Sequence, residues 1–317
     1  MPPDVSVIIP TYNRRDFLPE AVASCFKDNE SLAIEVVVVD DGSTDGTREW
    51  LRSRADDRIR LVFREHEGAQ QARNAGLEAV RGETVKFLDS DDYLYPGVLE
   101  EQYEALTEAE ADVCYGPIDI VDGNGNKQGH KPNPGVEDLL GGIATGTVTT
   151  YPHVFLYQAE VARRERWRLE VPYHQDTVYA LDVAARNPSC VQVRSPIGIH
   201  RAHQNTRITT QKKGIAAPQK IEKKFEYLIE AYRKREQRST VGDELRHQIA
   251  RGLWEEAHKI APHDFSCFVS MYSTIQGIAP DFSPSRPRSL LRLLDRALGP
   301  GWTEGIINPL RIAKHGI

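Results

Sequence analysis

The chain holds only four cysteines, Cys25, Cys114, Cys190 and Cys267, and no two of them form a Cys-x-x-Cys pair. That argues against a disulfide framework or a zinc site and for reduced thiols in a cytosolic protein. Basic residues are not in excess either: 40 Lys and Arg face 46 Asp and Glu, for a net charge of −6 and a pI near 6.0. A nucleic-acid binder needs a surplus of cations to neutralise phosphates, so no nucleic-acid partner is expected. No apolar run reaches the length of a membrane span, and Met1-Pro2-Pro3-Asp4 leads straight into a predicted strand, with no sign of a leader peptide. The expected location is the cytoplasm, with any membrane contact peripheral. There is no internal repeat, no low-complexity tract and no Gly-x-Gly-x-x-Gly after the first strand, where a dinucleotide-binding oxidoreductase would carry it.

What is present is a hydrophobic content of 40%, enough for a sizeable core, laid out as strands alternating with helices. Val5 to Ile9 is a short apolar run stopped by Pro10, and Asp16 can cap a helix carrying Phe17, Leu18, Ala21, Val22 and Cys25. Glu35 to Val39 reads as a strand buried on both faces. It ends in Asp40-Asp41-Gly42-Ser43-Thr44-Asp45, where Thr44 or Asp45 can cap the helix through Trp50 and Leu51. A strand at Ile59 to Phe63, a helix at Gly68 to Val80, a strand at Val85 to Leu88, a helix from about Pro96 to Leu106 and a strand at Val113 to Tyr115 follow. This alternation predicts a doubly wound, mostly parallel sheet flanked by helices. Beyond Gly116 the composition turns to Gly, Asn, Pro and Thr, with a hairpin turn predicted at Asp122 to Asn126 and short strands at Val191–Val193 and Ile197–Ile199. Past Gln211 the pattern is helical: a charge-laced pair spans Pro218 to Lys259, and a basic amphipathic helix at 286–298 would either lie on an anionic membrane or pack on that pair.

Three predicted strand ends carry polar clusters: Thr11-Tyr12, Asp40-Asp41 and Asp89-Ser90-Asp91-Asp92. A parallel sheet brings such ends to one crevice, which is where open α/β sheets bind ligands. Carboxylates crowded there repel and raise one another's pKa unless a hard divalent cation, Mn2+ or Mg2+, sits among them with substrate phosphates. Alone, the cluster reads equally well as an acidic turn before a helix. With a nucleoside diphosphate sugar across the crevice, Asp91 with Asp89 or Asp92 would hold the cation, Tyr12 would stack on the base, and Asp40 or Asp41 would accept its N–H. Arg73 would reach base or phosphate. An attacking hydroxyl must lose its proton, and Asp176, at a helix start, is the candidate base; read without context it is an ordinary N-cap. His200 and His203 are candidates for completing the metal site or touching phosphates.

The segments Val5–Asn13, Val37–Thr47, Ala72–Leu77 and Phe87–Asp92 resemble, in order and spacing, the family 2 glycosyltransferases of GT-A fold. The resemblance covers residues 5 to about 110 strongly, weakens to about 205 and ends there. It implies a GT-A catalytic domain over 1–210, with a nucleotide-binding half at 1–115 and an acceptor-binding half at 116–210, followed by a helical C-terminal extension over 211–317. It further implies an inverting, metal-dependent transfer of a sugar, usually from a UDP-sugar, to a glycan or lipid-linked acceptor. Thr11, Tyr12, Asp40 and Arg73 match nucleotide-binding positions, with Pro10, Asp41 and Ser90 inside the same motifs. Asp89 and Asp91 match the metal-binding Asp-x-Asp, Asp176 matches the base, and His200 to His203 resembles the late histidine motif. The chain departs from the pattern at Gln175, where glutamate is common, and in Trp167-Arg168-Leu169-Glu170-Val171-Pro172, which replaces the usual Gly-Gly-Phe-Asp-Glu type of loop. Gln175 leaves a second reading open, a catalytically silent accessory subunit that binds nucleotide-sugar within a polysaccharide assembly complex.

Overall fold

The computed structural model describes residues 2–54, 56–202 and 217–284. They divide into two compact units. The first holds the strands β1 (Val5–Thr11), β2 (Ile34–Asp41), β3 (Ile59–Arg64), β4 (Thr84–Phe87), β5 (Tyr93–Leu94), β6 (Val113–Tyr115), β7 (Ile118–Asp122), β8 (Lys127–Lys131), β9 (Phe155–Gln158), β10 (Cys190–Gln192) and β11 (Gly198–Ala202). Seven of them form one sheet in the order β10-β6-β9-β4-β1-β2-β3, and β5-β11-β7-β8 form a second. The large sheet is parallel except for β9, which runs antiparallel to β4 and β6. Every residue of β1 and β2 is buried, as their uninterrupted Val and Ile runs predict for a strand covered on both faces. The predicted hairpin forms between β7 and β8, with Asp122 Oδ1 accepting from the amides of Asn124 and Asn126.

Pro10 does not stop β1, which continues to Thr11. The reason is positional. Ile8 directs its carbonyl at β4, accepting from Leu88 N at 2.9 Å, and in a parallel ladder a residue two further on points to the same side. The β4 pairing ends at Ile8–Phe87, so the N–H that proline lacks would have met no ladder partner there. On its other side β1 stays paired with β2 to Thr11–Asp40. Strand order thus reverses between β1 and β4, and their carboxyl ends part at the point where such sheets bind ligands.

The helices of this unit are α1 (Leu18–Ser24), α2 (Thr47–Arg52), α3 (Ala69–Ala79), α4 (Val98–Glu108), α6 (Ala159–Arg163) and α7 (Gln175–Ala184), while α5 (Leu139–Ala144) belongs to the second unit. Asp16 does not cap α1, whose N-cap is Phe17 and whose first turn contains Pro19. Gly46, at φ +88°, is the N-cap residue of α2, while Asp45 Oδ1 accepts from Thr47 N at 3.1 Å. The small residues of α3 have a packing purpose: a Cβ on Gly76 would sit 2.3 Å from Ile8 Cγ2 in β1. Alanine is the better helix former by about 1 kcal/mol, yet overpacking costs roughly 1–3 kcal/mol. Gly76→Ala is therefore expected to lower the unfolding free energy, read as a fall in the urea midpoint; a rise would refute the close packing of α3 on β1.

Among the described residues, the second unit comprises Asp138–Thr147, Ala184–Arg186 and 217–284. Residues 138–147 and 184–186 therefore depart from the sequence reading, which assigns them to the acceptor half. The cause lies in their bonding: Asp138 caps α5 by accepting from Leu140 N at 2.8 Å, and Arg235 donates to Asp138 Oδ2 and to the Ala184 carbonyl, each at 2.7 Å. Arg235 stands in α8 (Ala217–Arg238), followed by α9 (Asp243–Ile260) and α10 (Phe265–Ile278). Lys224 of α8 pairs with the mostly buried Glu256 of α9 at 2.6 Å, and Trp254 meets Phe268 of α10 edge-on at 5.9 Å. No helix among the described residues is long and apolar enough to cross a membrane. The basic helix predicted at 286–298 lies outside them.

Candidate active site

The crevice wall begins at the end of β1. Thr11 is buried, and its Oγ1 has no hydrogen-bond partner among the described residues. Tyr12 follows with 41% of its surface exposed. Asn13 bends the chain at φ +51° and ties it to the loop after β2: its amide donates to Ser43 Oγ at 2.9 Å, and Thr44 N donates to Asn13 Oδ1 at 2.8 Å. The two carboxylates ending β2 are both held by neighbouring protein groups. Asp40 is sealed from solvent and bound by Arg48 Nε, with Ser43 N at 3.3 Å. Asp41 accepts from Glu67 N and Gly68 N, both at 2.9 Å, so it holds the loop before α3.

Arg73 projects from α3 and is 5% exposed. Its Nη2 donates to Asp89 Oδ1 at 2.6 Å and lies 3.7 Å from Asp176 Oδ1, while the guanidinium sits 4.3 Å above the Trp167 ring. Burial disfavours the charge on Arg73, but Asp89, Asp176 and Asp91 outweigh it and hold its pKa above the usual value. Trp167 is fixed in turn. It stacks on Tyr179 at 4.5 Å and 6°, and its backbone N and O pair with the Asn74 amide at 2.9 and 2.8 Å. Residues 16 and 103 positions away from Arg73, Asp89 and Asp176, thus meet at one guanidinium.

Asp176 lies in the first turn of α7, just after His174, which takes the left-handed conformation at φ +59°. Burial pushes its carboxyl up to about 7; Arg73 and His200 pull it down, and Asp89 and Asp92 raise it further. Asp91 has Arg14 Nε 3.6 Å from Oδ2. Burial, then the charges of Asp92 and Asp89, push it up to about 6. Ser90, which separates Asp89 from Asp91 in the chain, is buried.

Asp92, the third carboxylate of the cluster, is held inside the protein. It is 1% exposed; Oδ2 accepts from His200 Nδ1 at 3.0 Å and Oδ1 accepts from Arg201 N at 2.9 Å, with His153 Nδ1 3.3 Å from Oδ2. Burial would raise its pKa, but the two histidines prevail and hold it well below the carboxylate range. His200 is accordingly a partner of Asp92. His203 lies outside the described residues. No group of three or more metal-type side chains converges among the described residues. Mn2+ and Mg2+ need no such cage when phosphates complete the shell, and one or two carboxylates suffice. Asp89 and Asp91 supply hard oxygens, and the repulsion that lifts Asp91 is what a cation relieves. The pair suits an ion shared with a diphosphate. A cavity of about 440 Å³, lined by Gln71, Asn74, Glu78, Arg166 and Trp167 among others, lies along α3.

Residues 6–166 match the profile described as glycosyl transferase family 2, and the chain belongs to that family. It is 45% identical over 109 residues to the putative teichuronic acid biosynthesis glycosyltransferase TuaG of Bacillus subtilis, covering 33% of this chain and 43% of that protein. It is 33% identical over 182 residues to an uncharacterized glycosyltransferase of Nostoc sp., covering 52% and 56%. The chain thus spans about half the length of these relatives. Among solved structures, S. aureus TarS 1–349 superposes with a TM-score of 0.62 at 18% identity, over 100% of this chain and 92% of that one. The mannosyltransferase PcManGT of Pyrobaculum calidifontis, in complex with GDP-Man and Mn2+, gives 0.51 at 18% identity over 97% and 87%. The fold is of the GT-A type.

Proposed function

We propose that the protein transfers a sugar from a UDP-sugar to a hydroxyl of a glycan or lipid-linked acceptor, with inversion, by a single direct displacement. The acceptor oxygen attacks the anomeric carbon, the bond from that carbon to the phosphate oxygen breaks, and Asp176 takes the acceptor proton. A carboxyl pushed up to about 7 is suited to hold a proton near neutral pH. Tyr12 offers a stacking face to the base. Asp89 and Asp91 would hold a Mn2+ or Mg2+ ion together with the diphosphate. Such an ion supplies positive charge where the leaving diphosphate becomes more negative. Arg73 keeps Asp89 and Asp176 oriented toward one volume. The observation that carries this reading is the Arg73 contact with both carboxylates, at 2.6 and 3.7 Å, since it joins the donor and base segments of the family motif at one point.

The donor assignment is tested by melting the protein with UDP-, GDP- and dTDP-sugars, with and without Mn2+. A ligand held at 100 times its Kd stabilises by about 2.7 kcal/mol. The expected result is a manganese-dependent rise in Tm with UDP-sugars; a rise with GDP-sugars alone would overturn the uridine assignment.

A further inference from the structure

The loop between β3 and α3 carries a histidine that none of the family motifs marks. His66 Nδ1 lies 2.8 Å from Asp41 Oδ2 and 3.1 Å from the Asp41 carbonyl oxygen. An ionised carboxylate and a carbonyl only accept, so Nδ1 carries the proton. The backbone is held as firmly as the ring. Asp41 also accepts from the amides of Glu67 and Gly68, and His66 N approaches Gly42 so closely that a Cβ there would sit 2.9 Å away. Gly42, at φ +88°, is suited to this contact both by its conformation and by its missing side chain. The imidazole, with 55% of its side chain exposed, stacks on Tyr12 at 4.0 Å and 23°.

An exposed tyrosine ordinarily samples several rotamers, and fixing it on binding costs affinity. Tyr12 is held on one side by a clamped ring and keeps 41% of its surface open. Asp41, which the motif places among nucleotide contacts, has its carboxylate turned to this clamp. We propose that His66 is a positioning residue of the donor site: anchored by Asp41, it backs the Tyr12 ring and presents the opposite face as a ready platform for a pyrimidine base. This rests on the donor reading above. It assigns Asp41 an indirect role, acting on the base through His66 and Tyr12.

The test uses UMP and inorganic pyrophosphate as probes in manganese buffer, with calorimetry on the full chain and Tm as a folding control. His66→Ala is expected to raise the Kd for UMP about 3- to 10-fold, the range that one aromatic pair spans, with pyrophosphate binding unchanged. His66→Phe, which keeps a flat ring and loses both nitrogens, is expected to restore most of the affinity. In a Tyr12→Leu background, which has no platform to back, His66→Ala is expected to have no further effect. Equal UMP binding by wild type and His66→Ala overturns the proposal, as does tighter binding by His66→Ala, which would make the imidazole an occupant of the base's own place. Equal losses in the Ala and Phe variants overturn it in favour of direct contact between imidazole and base. If the wild type binds pyrophosphate but no UMP, the donor reading itself fails and takes the proposal with it.

Discussion

Replacing Asp176 by Asn is expected to lower turnover of a UDP-sugar, scored as hydrolysis, by about 10²–10⁴-fold, the usual worth of a positioned general base. Donor affinity should hardly change, because in the proposed mechanism the carboxylate meets the acceptor. Stability should not fall. Asp176 has a folded pKa near 7 against about 3.9 for an unfolded carboxyl. Between those values the folded state binds more protons than the unfolded one, so this group's contribution to stability falls as pH rises from 4 to 7. Asparagine removes that handicap, and the Tm of the variant at pH 8, without metal, is expected to equal or exceed that of the wild type. A variant that turns over normally would refute the base assignment. One that loses activity only because it melts would show that the residue serves the fold.

The largest stability effect is expected at Lys86. This lysine points from β4 into the sheet's core, is fully buried, and donates from Nζ to Gln102 Oε1 at 2.6 Å and to the Phe155 carbonyl at 3.3 Å. Burial pushes its pKa down to about 7, against about 10.4 for an unfolded lysine. Between those values the unfolded state holds more protons, so its contribution to stability rises with pH, by up to about 1.4 kcal/mol for each pH unit. Burial also pushes the neighbouring Cys25 and Cys114 up to about 12. Above pH 9 the unfolded thiols ionise first, which reverses the slope. The three groups together give a maximum near pH 9. Lys86→Met removes the lysine's share, a gain on the order of 4 kcal/mol at pH 7, but strands the Gln102 oxygen at about 1–3 kcal/mol. The net expectation is a modest gain for Lys86→Met and a larger one for Lys86→Met with Gln102→Leu. Guanidinium unfolding at pH 7 and 9 reads both; a variant as pH-dependent as the wild type would show that the lysine stays charged when folded.

Much of the site was legible because strand ends in a parallel sheet converge by topology alone. Valine and isoleucine runs located β1 and β2, the stretch Val85 to Leu88 located β4, and the polar residues after them had to share one edge. Charge partners were not legible. Nothing local distinguishes Asp91 from Asp92; the difference comes from His153 and His200, 61 and 108 positions further on, which claim the second carboxylate alone. The pairing of Asp40 with Arg48 likewise has no mark in the sequence. The antiparallel course of β9 left no mark either, since a run of apolar residues reads the same in both directions. Lys86 stands in a strand whose neighbours all predict burial, and only Gln102 and Phe155, brought in by the fold, explain how a lysine is housed there. Trp167 was visible as a departure from the family's loop, but its use as a bed for Arg73 emerges only in three dimensions.

The most direct measurement is calorimetric titration of UDP into the wild type, Tyr12→Ala and Asp91→Ala, each with and without Mn2+. Tyr12 follows β1 and Asp91 follows β4, and in our account they serve one ligand. The account predicts a single site in the wild type, tightened at least about tenfold by manganese, as expected when an ion bridges carboxylate and diphosphate. Tyr12→Ala should weaken binding with and without the metal, and Asp91→Ala should abolish the manganese effect. UDP bound equally well without manganese, and undiminished in both variants, would contradict it.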